Sequence, residues 1–159
     1  MIKFFSFFFG SSDLIHSKLF DETTFYEAFV KDLKKCKKEV IIESPYITCK
    51  RMIILEPLFK KLIKKGVKVY IITRDPSEHN ESLERQSEFE ISNFESLGVQ
   101  VLMCYGNHHR KLAILDRKIL WEGSLNILSQ IYSREIMRRI ESKVLTQQMF
   151  KFLNLKRFI

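Results

Sequence analysis

Residues 40–73 read VIIESPYITCKRMIILEPLFKKLIKKGVKVYIIT, and the reading of this stretch decides the fold. Val40-Ile41-Ile42-Glu43-Ser44 is a short β-branched run ended by Pro45, which predicts a strand. Ile53 to Lys65 then returns to helical period, with Leu55, Leu58, Phe59, Leu62 and Ile63 on one face, and Gly66 stops it. Val67 to Thr73 is a second strand. Working outward, Thr23 to Lys38 predicts a helix on Phe25, Phe29 and Leu33, with Thr23 or Thr24 as its cap. Glu81 to Leu97 predicts a polar-faced helix stopped at Gly98, and Val99 to Met103 a strand. Lys111 to Leu115 and Ile119 to Trp121 predict two strands around Asp116-Arg117-Lys118. A helix is expected to begin near Leu125, and another to span Ser142 to Leu153. Strands alternating with helices imply βαβ units, hence an α/β protein. The expected sheet is mixed and mainly parallel, flanked by helices on both faces, with the hairpin adding antiparallel pairing.

The 159 residues suit one domain with one core, and no linker, low-complexity tract or internal repeat divides them, so residues 1–159 are read as a single domain. Hydrophobic residues make up 45% and charged residues 29%, which excludes a disordered chain. The net charge of +8 favours a polyanionic partner, either nucleic acid or an anionic membrane surface. The charge is uneven: Lys31 to Lys38 holds five Lys against Asp32, and Lys50 to Lys68 holds six Lys and Arg51 against Glu56. Ser77 to Glu95 is acidic. Cys36, Cys49 and Cys104 match no zinc spacing and read as reduced thiols.

Residues 1–10, Met-Ile-Lys-Phe-Phe-Ser-Phe-Phe-Phe-Gly, hold an apolar run far shorter than the ~20 residues a spanning helix needs. They read as a buried first strand, with an export signal as the alternative. The expected location is the cytoplasm on the first reading and the periplasm or cell surface on the second.

Chemistry concentrates in residues 109–126. His109, Lys111, Asp116, Gly123, Ser124 and Asn126 form the pattern H-x-K-x4-D-x6-G-S-x-N. Along a strand, residues two apart point to the same face, so His109 and Lys111 converge. An imidazole can attack phosphorus, and an ammonium and an amide can hold the non-bridging oxygens as negative charge grows on them. Lys111 would also raise the neutral, attack-competent fraction of His109. No cluster of carboxylates, cysteines and histidines accompanies the motif, so neither a metal nor another cofactor is expected.

This segment resembles the HKD motif of the phospholipase D superfamily, in its short, single-motif nuclease branch. The resemblance extends to Glu135 in Ser133-Arg134-Glu135, and more weakly to Glu43 to Tyr46 and Gly66 to Val69. It implies the phospholipase D-like fold and a phosphohistidine intermediate on His109. Lys111 and Asn126 then bind phosphate, Ser124 assists, Glu135 holds the other ring nitrogen of His109, and Asp116 secures the site's structure. The family uses two histidines from two copies of the motif. Only one copy is present here: His16-Ser17-Lys18 is followed by Thr23 where Asp would stand, His79 has no Lys after it, and His108 has none two residues on. The resemblance therefore implies a homodimer sharing one cleft.

The favoured substrate is nucleic acid, with DNA ahead of RNA, cut by a metal-independent endonuclease. The segment from Gly123 to Ile140 also resembles nuclease modules attached to helicases, so helicase association is a further expectation. The alternative is a phospholipase or phosphatidyl transferase on anionic membrane lipids. A second alternative is a catalytically inactive nucleic-acid-binding module.

Overall fold

The computed structural model describes residues 16–129, 132–157 and 159; the reading of residues 1–10 lies outside these. Seven strands form one sheet: β1 (His16–Asp21), β2 (Glu39–Glu43), β3 (Lys68–Arg74), β4 (Gln100–Cys104), β5 (Leu112–Leu115), β6 (Ile119–Gly123) and β7 (Ile136–Glu141). Their order is β1-β7-β6-β5-β2-β3-β4. Four helices are α1 (Phe25–Leu33), α2 (Cys49–Lys64), α3 (Glu81–Ser96) and α4 (Lys143–Phe152).

The α/β class holds, and the balance of pairing differs from expectation. Among the described residues, only β2–β3 and β3–β4 pair in parallel; β2–β5, β5–β6, β6–β7 and β7–β1 are antiparallel. The physical reason is that βαβ crossovers occur only in the stretch quoted above and its continuation through α3. From residue 112 onward short turns and loops replace helices, and such connections join antiparallel strands.

Strand alternation divides the core in two. Val40, Ile42, Val69, Ile71, Ala113, Leu115, Trp121 and Met137 face α1, α2 and α3. Ile41, Tyr70, Ile72, Leu112, Ile114, Leu120 and Ile140 face the other way, where Phe150, Leu153 and Leu155 of the C-terminal segment cover them. Helices thus lie on both faces, as expected. α2 begins at Cys49, earlier than its apolar period suggests, and tolerates Pro57 inside it.

Two strands were hidden in the sequence. β7 occupies part of the segment read as continuing a helix from Leu125. Residues 127–129 form only a turn, and the pair Arg138-Arg139 disguises the strand. Arg139 points inward, where its Nε donates to Asp32 Oδ2 at 2.6 Å, and the Trp121 indole donates to the same oxygen at 3.1 Å. A buried carboxylate thus lets a cation stand at a core-facing strand position. β1 pairs with β7 from His16↔Glu141 to Asp21↔Ile136, so His16-Ser17-Lys18 belongs to an edge strand.

Candidate active site

His109 and Lys111 lie just before β5, at the end of the sheet where the parallel strands β2, β3 and β4 finish. In α/β sheets, sites form at the carboxyl ends of strands, and the last residues of these three are Glu43, Arg74 and Cys104. Lys111 Nζ stands 2.8 Å from His109 Nδ1 and 3.3 Å from Nε2, and donates to the His109 carbonyl oxygen at 2.8 Å. An ammonium can only donate, so the imidazole nitrogen it meets must be an unprotonated acceptor. Burial, then the Lys111 charge, then Arg74 hold the His109 imidazole below its ordinary value. The neutral ring is therefore the dominant form at neutral pH. Burial lowers the Lys111 ammonium, against which the Glu135 carboxylate acts.

Ser124 follows β6 directly. Its hydroxyl donates to Glu135 Oε2 and accepts from the Ile136 amide at 3.1 Å. The other Glu135 oxygen accepts from the Ser133 hydroxyl at 2.7 Å. Glu135 thus serves Ser124 and the Lys111 charge, and in this structure it is Lys111 that contacts the His109 ring. Gly123 is required by a close approach rather than by a turn. A Cβ there would lie 2.1 Å from the Ile136 carbonyl oxygen, inside the β6–β7 contact.

Asn126 is half-buried, and its Oδ1 is buried with no hydrogen-bond partner among the described residues. Its loop is sewn to the segment after β2. The Leu128 amide donates to Ser44 Oγ at 3.2 Å, the Thr48 amide to the Leu128 carbonyl at 3.0 Å, and the Tyr26 hydroxyl to the Ile127 carbonyl at 2.9 Å. Asp116 is elsewhere. It sits at the opposite end of β5, where its carboxylate accepts from the amides of Lys37, Lys38 and Glu39 at 2.9, 2.8 and 3.0 Å. That arrangement suits a structural clamp.

Several neighbours lie outside the histidine-lysine motif, and only Tyr46 had a weak signal, in the Glu43 to Tyr46 stretch. The Tyr46 ring meets His109 edge-on at 6.3 Å and the His79 ring at 5.0 Å, so His79 enters the site region from a distant loop. Arg74, which donates to Glu78 and Asn107, adds positive potential near His109. Their common signal is position after a parallel strand, legible once the strand order is known.

An open groove runs past His109, Lys111 and Ser124 and is rimmed by Arg110, Arg138 and the exposed Leu19 and Ile136. Glu122 and Arg138 face each other across β6 and β7 within it. The lysine clusters are not on this groove. Lys34 to Lys38 precede β2, and Lys60 to Lys65 lead toward β3, at the far end of the sheet. A five-residue strand separates the two ends by roughly 15 Å. Among the cysteines, Cys36 is buried, Cys49 exposed and Cys104 half-buried, and all three are free thiols.

Residues 29–155 match the family described as cardiolipin synthase, PLD-like domain. A search of curated proteins finds no match. Among solved structures, NucT from Helicobacter pylori superposes with a TM-score of 0.66 at 21% identity, covering 87% of this chain and 92% of that one. Nuc from Salmonella typhimurium, a phospholipase D family member, gives 0.71 at 14% identity, covering 87% and 91%. Phosphatidylserine synthase from Haemophilus influenzae Rd KW20 gives 0.68 at 18% identity, covering 92% of this chain and 39% of that one. At these identities the likeness establishes the shared fold, and the sequence match establishes the kinship. The chain belongs to the phospholipase D superfamily, whose members are phosphodiester hydrolases and transferases, and it carries one copy of the histidine-lysine motif.

Proposed function

We propose that this protein is a metal-independent nuclease, with DNA as the favoured substrate, working as a homodimer whose two copies of His109 act on one phosphorus atom. The observation that carries the reading is the Lys111 ammonium at 2.8 Å from the ring nitrogen of a neutral imidazole, beside an open groove edged with arginine. In the proposed reaction the lone pair of one His109 attacks phosphorus and the P–O bond to the leaving group breaks. The second His109, protonated in the complex, gives its proton to the leaving oxygen. It then takes a proton from water as that water displaces the first histidine from phosphorus. Lys111 and Asn126 neutralise the non-bridging oxygens, Ser124 assists, and Glu135 fixes Ser124. Each chain offers one such histidine, so the partner supplies the other.

The extent of the matches suits this reading. Nuc and NucT are matched over nearly their whole length, whereas this chain spans less than half of the phosphatidylserine synthase. The phospholipid reading draws on that last likeness and on the exposed Leu19 and Ile136 at the groove. No helix of the described residues is long and apolar enough to cross a membrane, so such an enzyme would work from the membrane surface or by way of residues 1–15.

The test is cleavage of plasmid and single-stranded DNA in EDTA, beside headgroup release from anionic vesicles. Molar mass in solution is measured on the same sample. DNA cleavage in EDTA by a dimer is the expected result. Cleavage that requires added Mg²⁺ would refute the mechanism, full activity in a strict monomer would refute the shared site, and headgroup release alone would favour the lipid reading. Turnover of neither substrate would favour the inactive binding module. Helicase association and location in the cytoplasm remain further parts of this proposal, checked by co-purification and by fractionating cells.

A further inference from the structure

Glu43 is the last residue of β2 and pairs in register with Leu112. Its side chain is 1% exposed. Strand alternation places it on the face opposite His109. His108 and Arg110, the two residues flanking His109, turn to that same opposite face. His108 Nε2 stands 3.4 Å from Glu43 Oε2, and Arg110 Nη1 stands 3.6 Å from the same oxygen. The oxygen and the His108 nitrogen are both buried without a hydrogen-bond partner among the described residues. A buried carboxylate is thus met by the immediate neighbours of the nucleophile on both sides.

The geometry points to Glu43 as a positioning residue: through His108 and Arg110 it fixes the backbone of His109, and so the aim of the imidazole at phosphorus. Resting on the nuclease reading, this adds a residue outside the motif to the same site. Lys111 grips the His109 carbonyl on the front, and Glu43 holds the segment from behind. Near-attack geometry is sensitive to small displacements, which gives such a support leverage over rate. The state of this support depends on protonation. Burial pushes the Glu43 carboxyl up to about 7, with Arg110 opposing, while burial, then Arg110, Lys111 and His109 hold His108 down. Among the described residues, the Cys104 thiol at the end of β4 also feels the Glu43 charge, together with Arg110 and Arg157.

The test uses Glu43→Gln and His108→Gln in the full chain, with bis(p-nitrophenyl) phosphate as substrate and ¹⁵N-histidine NMR as a readout independent of activity. Glu43→Gln should lower kcat by about 10- to 100-fold with KM within about threefold of wild type. It should also flatten the pH profile of kcat near neutrality and shift the His109 ring resonances while those of His16 stay in place. His108→Gln should act in the same direction, and Glu43→Asp should recover part of the rate. Unchanged kcat and unmoved His109 resonances in a folded Glu43→Gln protein would overturn the inference. If wild type hydrolyses no diester, the nuclease reading fails, and the NMR shift alone still decides whether Glu43 positions His109. A variant that melts early and regains full kcat at low temperature would show a stability role only and would also overturn it.

Discussion

The two ends of the β2–β5 ladder each hold a carboxylate, and their surroundings are opposite. Asp116, just past β5, accepts three backbone amides of residues 37–39, close to the exposed lysines of that end. Glu43, at the end of β2, has an Oε2 that accepts from no amide among the described residues. Buried itself, it faces an imidazole and a guanidinium at 3.4 and 3.6 Å. The first arrangement satisfies a charge completely and locks a hairpin to the start of β2. The second leaves a buried group incompletely satisfied next to the candidate nucleophile. Incomplete satisfaction is costly for folding and is concentrated where chemistry is done, which separates the architectural end of the sheet from the reactive one.

Mutation should break this contrast most visibly at the reactive end. Replacing His109 by Ala is expected to lower diester hydrolysis by about 10⁴-fold or more, with the melting temperature nearly unchanged. Retained turnover in that variant would remove the imidazole from the mechanism. At the architectural end the pattern inverts. Asp116→Ala strips the cap from three amides and places Ala at φ 51°, so urea unfolding should show a loss of about 3 kcal/mol. Its rate per folded molecule should stay within a few-fold of wild type.

Gly123→Ala probes the seam between the ends, because its new Cβ would strike the Ile136 carbonyl; a loss of about 2 kcal/mol is expected by thermal melting. pH sharpens the comparison further. The Glu43 pKa is raised on folding, from an ordinary 4.5 to about 7, so the folded chain holds a proton that the unfolded chain releases. Its contribution to stability is full below about pH 4.5 and is lost as pH rises toward 7. The stability of Glu43→Gln relative to wild type should therefore improve across that window. A difference that stays constant with pH would show that Glu43 does not titrate as its surroundings imply. The smallest effect belongs to the far lysines. Lys34→Gln with Lys35→Gln should change stability by less than about 0.5 kcal/mol and leave small-diester turnover unaltered.

Periodicity exposed the elements that bury one clear face. β2, α2, β3, α3 and β4 were all legible, because their apolar residues recur at strand or helix spacing and Gly66 and Gly98 mark helix ends. β7 was not legible, because its inward Arg139 is neutralised by Asp32 from α1, a partner 107 residues away. The motif residues declared themselves through spacing, and the family resemblance set Asp116 apart as structural while placing Glu135 on the His109 ring. Asp116 belongs to a clamp some 77 to 79 residues distant in sequence, and Glu135 to Ser124 rather than to the His109 ring. Tyr46, His79, Arg74 and Glu43 gather only when the strand order brings three loops together, and no local pattern encodes that order.

The placement of β7 has a consequence for synthesis. β7 lies between β1 and β6, and it carries the Ile136 amide that bonds Ser124 and the residue after Glu135. Synthesis must therefore pass residue 141 before the groove can exist, since residues 16–21 pair with residues 136–141 across most of the described residues. Shorter nascent chains would lack the strand whose first amide holds Ser124, and the groove would assemble only once that strand has emerged.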